Sequence, residues 1–133
     1  MATAAMTKSA LKLSAIDHVV IHVRDVALSK AFYTDVLGMT VRSAGDSYAF
    51  LFCGESRQQI GLFAGEDGDP PNGADLNHLA FSVPSGSRAE IVEALAAHGV
   101  AARGRQGDPD CVYFDDPDGH CLQIVIPERG RSC

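Results

Sequence analysis

Residues 15–23 alternate apolar and polar positions, so that Val19, Ile21 and Val23 fall on one face of a strand and His18, Val20 and His22 on the other. A helical spacing follows, with Leu28, Ala31, Phe32 and Val36 on one stripe, Asp25 placed to cap it and Gly38 to end it. Three short apolar runs come next, at 40–44, 48–53 and 58–63, with turn formers at Gly45-Asp46 and Gly54-Glu55. The pattern then restarts. Residues 77–83 predict a strand, and Ser87-Arg88-Ala89-Glu90 is a capping-box sequence ahead of a helix in which Ile91, Ala94 and Leu95 share a face and Gly99 is the stop. Strands are predicted near 100–103, 111–115 and 121–126, the last two joined by the turn Asp116-Pro117-Asp118-Gly119. The order βαβββ thus occurs twice, which predicts an α+β fold built from two copies of one small unit.

The stretch 65–74 is dense in turn formers and acidic groups and is expected to connect the two copies, modules of about 15–64 and 75–127 within a single domain of 15–127. Residues 1–14, rich in Ala, Ser and Thr, predict a flexible arm, and 128–133 a tail. With 46% hydrophobic and 21% charged residues the chain has an ordinary globular composition. Its net charge of -6 argues against a nucleic-acid partner. No apolar run approaches the roughly 20 residues that span a bilayer, and the N-terminal stretch lacks a signal-peptide core, so a cytoplasmic protein with no membrane partner is expected. Cys53, Cys111, Cys121 and Cys133 show no C-x-x-C spacing and are expected as reduced thiols.

Strand periodicity also separates candidate chemistry from core. In the last strand Leu122, Ile124 and Ile126 form the apolar side and leave Gln123 opposite; its counterpart in the first copy is Gly61. His18, Gly61, His78 and Gln123 therefore occupy equivalent faces. If those faces turn toward each other, His18, His78 and Gln123 converge, and two imidazole nitrogens with an amide oxygen can hold a divalent metal. His22 lies four residues along the same strand, about 13 Å away, too far to share an ion with His18. Asp115, Asp116 and Asp118 suggest calcium, but hairpin-turn chemistry accounts for them. Cys111 lacks an identifiable activating base and is not expected to act as a nucleophile.

Asp17-His18-Val19, Ala31-Phe32-Tyr33 with Leu37-Gly38, Asn77-His78-Leu79-Ala80-Phe81, His98-Gly99-Val100 and Tyr113-Phe114-Asp115-Asp116-Pro117-Asp118-Gly119-His120 together resemble the vicinal oxygen chelate superfamily, which includes glyoxalase I, extradiol dioxygenases and fosfomycin- and bleomycin-resistance proteins. The resemblance covers about 15–127. It implies a cupped mixed sheet around a metal, built as a homodimer by exchange of modules, with His18, His78 and Gln123 at the ligand positions. The family's last-strand Glu is Gln123 here, and the position of a fourth ligand is Gly61. No anionic ligand remains, so a chelating anionic substrate is expected to support metal binding. Tyr113 stands where fosfomycin-resistance relatives place a substrate-contacting Tyr, and Arg103 and Arg105 resemble their basic patch.

The implied function is a zinc-, nickel-, manganese- or iron-dependent enzyme on a small-molecule substrate, of isomerase, lyase or epoxide/thiol addition type. Dioxygenase chemistry is disfavoured by the missing carboxylate. The alternative is a metal-free protein that sequesters a drug or metabolite.

Overall fold

Cross-strand pairing converts the two halves of the sequence into two four-stranded mixed sheets. The computed structural model describes residues 9–65, 73 and 76–127. The first half runs β1 (His18–Val23), α1 (Val26–Ala31), β2 (Thr40–Ala44), β3 (Tyr48–Phe52) and β4 (Gln59–Ala64). The second runs β5 (Leu79–Ser82), α2 (Arg88–Ala96), β6 (Arg103–Arg105), β7 (Asp108–Asp115) and β8 (Cys121–Val125). The sheet orders are β1-β4-β3-β2 and β5-β8-β7-β6, with β1 parallel to β4 and β5 parallel to β8. The duplicated α+β architecture is as predicted. Most of the inferred 65–74 connection, residues 1–8 of the arm and the 128–133 tail lie outside the described residues; Ser9 to Ser14 are exposed and without regular structure. Among the described residues no helix is long and apolar enough to cross a membrane.

Alternation puts the core where it was expected. Ile21, Val23, Ile60, Leu62, Ala49 and Leu51 line the inner face of the first sheet, and Val112, Phe114, Leu122 and Ile124 that of the second, all in one buried cluster. Emptying one of the fully buried leucines, Leu51, Leu62 or Leu122, to alanine costs about 2–5 kcal/mol. Cys53 and Cys121 are free thiols, but Cys111 is wholly buried and disulfide-bonded, so the expectation of reduced thiols fails there.

Both helices start as their caps dictate. Asp25 Oδ1 accepts from the Leu28 backbone N–H at 3.1 Å, and Ser87 and Glu90 close a reciprocal capping box at 3.2 and 2.9 Å. Three local expectations are corrected. The first helix is not α-helical up to Gly38: it widens into a π-helical turn over Phe32–Val36, where the Thr34 hydroxyl donates to the Lys30 carbonyl at 2.9 Å and competes with the regular ladder. Its inward face is Val26, Ser29, Phe32 and Tyr33, with Leu28 exposed, because Ser29 and Tyr33 have polar partners in the second module. In α2 the inward side is Ile91, Val92 and Leu95, and Ala94 is exposed.

The strand expected at 100–103 begins at Arg103 instead. Val100 closes the end of α2 by donating to the Leu95 carbonyl at 3.0 Å, and Arg105 pairs with Asp108 across a tight turn in which Gly107 has φ +88°.

The Asp116–His120 turn ties the modules together. Asp116 Oδ2 accepts from the Tyr33 hydroxyl at 2.7 Å and lies 2.8 Å from His120 Nδ1, while Oδ1 accepts from the backbone N–H groups of Asp118 and His120. Asp118 in turn accepts from the Arg24 backbone N–H at 3.1 Å and the Ser29 hydroxyl at 3.3 Å. Asp116, Asp118 and His120 are all buried. Burial, with the Asp116 charge beside it, pushes the Tyr33 hydroxyl well above its ordinary pKa.

Candidate functional site

His18 opens β1 and His78 immediately precedes β5, and each of these strands is the edge of its sheet. Each imidazole is held by the side chain that precedes it. Asp17 Oδ2 lies 2.7 Å from His18 Nδ1, and Asn77 Oδ1 lies 2.8 Å from His78 Nδ1. An oxygen acceptor at Nδ1 fixes the proton there and leaves the Nε2 lone pair outward, which is how metal-binding histidines are oriented.

Register gives the rest of the site an internal symmetry. In the first sheet Gly61 stands between Val20 and Phe50; in the second, Gln123 stands between Ala80 and Tyr113. Phe50 meets His18 edge-on with ring centroids 5.6 Å apart, and Tyr113 meets His78 in the same manner at 5.8 Å. The two half-sites share one geometry with opposite chemistry, apolar in the first and polar in the second. His78, Tyr113, Cys121 and Arg103 line one open cavity of about 290 Å³. Arg103 is held there by Asp115 at 2.9 Å, and its Nη2 lies 3.5 Å from Cys121 Sγ.

Gln123 fits a ligand role by its environment. It is 1% exposed, and its Nε2 has no hydrogen-bond partner among the described residues. A buried amide left this way costs about 1–3 kcal/mol, which a bound group facing the amide removes. The amide ends are interchangeable by a flip, so the same position can offer its oxygen instead. Two imidazoles engaged at Nδ1 and one unsatisfied amide form a donor set that a divalent ion accepts.

The chain brings the predicted residues together in two groups. His78, Tyr113 and Gln123 share one face of the second sheet, while His18 shares a face with Phe50 and Gln59 in the first. Among the described residues no hydrogen bond or ring contact joins the two groups. His22 is exposed, and Arg105 lines the same cavity as Arg103.

Asp116, Asp118 and His120 form a second cluster whose candidate ligand atoms lie within 4.8 Å of one another. All four acceptor positions of the Asp116 carboxylate are taken by Tyr33, His120 and Asp118, so this cluster is built as an intermodule knot. Asp115 is not part of it, since it pairs with Arg103. Sequence reasoning missed Asp17 and Asn77 as orienting groups, although the matched polar residue before each His was the available signal. It also missed Tyr33, for which no sequence signal exists, because its partner is 83 residues away.

The glyoxalase/bleomycin resistance protein/dioxygenase superfamily profile matches residues 15–124. The uncharacterized protein YaeR of Escherichia coli K12 is 35% identical over 127 residues, covering 86% of this chain and 97% of YaeR. The glutathione transferase FosA of Serratia marcescens is 27% identical over 115 residues, covering 86% of this chain and 82% of FosA. Among solved structures, the fosfomycin resistance protein FosX of Mesorhizobium loti superposes with a TM-score of 0.66 at 22% identity, covering 89% of this chain and 98% of that one, a likeness of fold. Duplicated modules, histidines at matched edge positions and a profile match over most of the chain lead to one conclusion: the chain belongs to the glyoxalase/bleomycin resistance protein/dioxygenase superfamily.

Proposed function

We propose that this chain is a divalent-metal-dependent enzyme acting on a small molecule with two neighbouring oxygens, its ion held by His18, His78 and Gln123. The observation that carries this is the matched orientation of the two imidazoles by Asp17 and Asn77. When bound, zinc, nickel, manganese or iron supplies Lewis acidity to the chelated oxygens. Relatives named as a glutathione transferase and a metallothiol transferase support transferase-type chemistry over the other members of the class.

The chain's own residues do the following. Asp17 and Asn77 engage each ring at Nδ1 and so leave Nε2 as the nitrogen available to the ion. Gln123 contributes an uncharged donor, so the substrate has to bring negative charge, and metal and substrate support each other's binding. Tyr113, beside His78, donates a hydrogen bond to the oxygen on which charge develops. Arg103, steadied by Asp115, adds a positive charge at the same cavity.

Because His18, on the edge strand β1, belongs to one group and His78, just before the edge strand β5, belongs with Gln123 to another, we propose that the complete site lies between protomers of a module-exchanged homodimer. The 15–127 domain is then one subunit of a two-site assembly, and the cytoplasm is its proposed location. Mixing His18→Ala chains with His78→Ala chains tests this. Refolded together, they should regain about one metal site per mixed dimer, while neither alone retains a tight site. Failure of the mixture to regain any site would contradict a shared centre.

A further inference from the structure

Beside His18 lies a surface that the proposed chelation does not use. Gln59 pairs directly across from His18, and its Oε1 accepts from Arg42 Nε at 2.6 Å. The Arg42 guanidinium extends over the sheet with its carbon 5.0 Å from the centre of the Phe50 ring. It has no carboxylate partner among the described residues. The bulge between Val41 and Ser43 explains why Arg42 can reach across this face at all, since it breaks the alternation of β2 at that residue.

Around Phe50 the face is aromatic. Phe63 meets it edge-on at 5.5 Å, and Tyr48 packs against both rings at 6.3 and 6.0 Å. All three rings are partly exposed on the side of the sheet away from the core. A partly exposed aromatic patch beside a guanidinium already positioned by Gln59 offers a ligand an apolar plane and a positive charge together.

We propose that this face is a substrate subsite for a carboxylate borne on a flat apolar group, an aryl-substituted small acid. Arg42 meets the carboxylate through the Nη groups that Gln59 leaves free, and Tyr48, Phe50 and Phe63 take the ring. The inference rests on the chelation reading for its setting, because it orients the oxygens of such an acid toward His18. Charge complementarity picks the occupant: an uncharged ion-binding set together with Arg42 calls for an anion, and three rings call for an apolar plane.

Mandelate and lactate, which share a 2-hydroxy-carboxylate and differ in phenyl against methyl, are the probes. Each is titrated into the full chain with and without bound metal, following ring resonances of Tyr48, Phe50 and Phe63. Mandelate should bind at least about tenfold more tightly than lactate in both states, and Arg42→Gln should weaken mandelate about tenfold. Phe50→Leu should reduce the preference for the phenyl compound to about threefold or less. Equal affinities, indifference to Arg42→Gln, or no binding of either probe because a partner subunit seals the face would overturn the subsite. A chain that takes up no metal yet still prefers mandelate keeps the subsite and loses the chelation reading; uptake of metal without preference does the reverse.

Discussion

The ring of Phe50 stands over the backbone of Gly61, so that a Cβ built at Gly61 meets Phe50 Cε1 at 2.9 Å and Val20 Cγ2 at 3.0 Å. The position at which the family resemblance implies a fourth ligand is therefore crowded by an aromatic ring. Gly61→Glu alone should leave metal affinity unchanged and lower stability by about 1–3 kcal/mol through overpacking. Combined with Phe50→Ala it should gain affinity, because the carboxylate then has space. Calorimetric metal titration of the two variants checks this; equal gains in both would show that Phe50 does not exclude a ligand.

Asp17 and Asn77 are exposed and touch the site only through the imidazoles they orient. Asp17→Ala and Asn77→Ala should each weaken metal binding about 10- to 100-fold while shifting the melting temperature little. Competition against a metal-chelating dye measures the first effect and a thermal melt the second. A loss of stability without loss of affinity would assign both residues to local structure alone.

Gln123→Glu should raise metal affinity by adding an anionic oxygen, and it should destabilise the metal-free protein, since a side chain that is 1% exposed would then bury a charge or a costly neutral acid. The melting temperature is expected to fall without metal and to recover when metal is added. A variant whose melting point ignores metal would place residue 123 away from the ion.

The Tyr33–Asp116 hydrogen bond joins the modules. Tyr33→Phe removes one of four donors to a buried carboxylate and should cost about 1–3 kcal/mol. The folded chain holds the Tyr33 proton to higher pH than the unfolded chain, whose tyrosine titrates near about 10. Above that pH the unfolded state binds fewer protons, so this contribution is intact below about pH 10 and is lost as pH rises, at up to about 1.4 kcal/mol per unit. Denaturant melts between pH 9 and 11 should show a steeper fall in wild type than in Tyr33→Phe. Parallel falls would contradict a bound Tyr33 proton.

The repeat was legible because its signals are local: strand alternation at Val19, Ile21 and Val23, the Asp25 and Ser87 caps, and the glycines that stop both helices. The candidate residues were legible for the same reason, since period two alone puts His18, Gly61, His78 and Gln123 on equivalent faces. Part of what escaped depends on distant partners. Ser29 turns inward for Asp118, at 89 residues' separation, and displaces Leu28 from the expected stripe. Arg42 reaches Gln59 only because a bulge breaks the alternation on which the reading of β2 relied. The helix widens at Phe32–Val36 through one hydroxyl on Thr34, which no propensity scale weighs.

Metal titration of the purified chain tests the central claim most directly, using zinc, nickel, manganese and iron(II) in turn on wild type, His18→Ala, His78→Ala and Asp118→Asn. One saturable ion per protomer is predicted in wild type and in Asp118→Asn, and none in either histidine variant. No saturable uptake of any of the four by wild type, or uptake that survives both histidine changes and disappears with Asp118→Asn, would contradict the account.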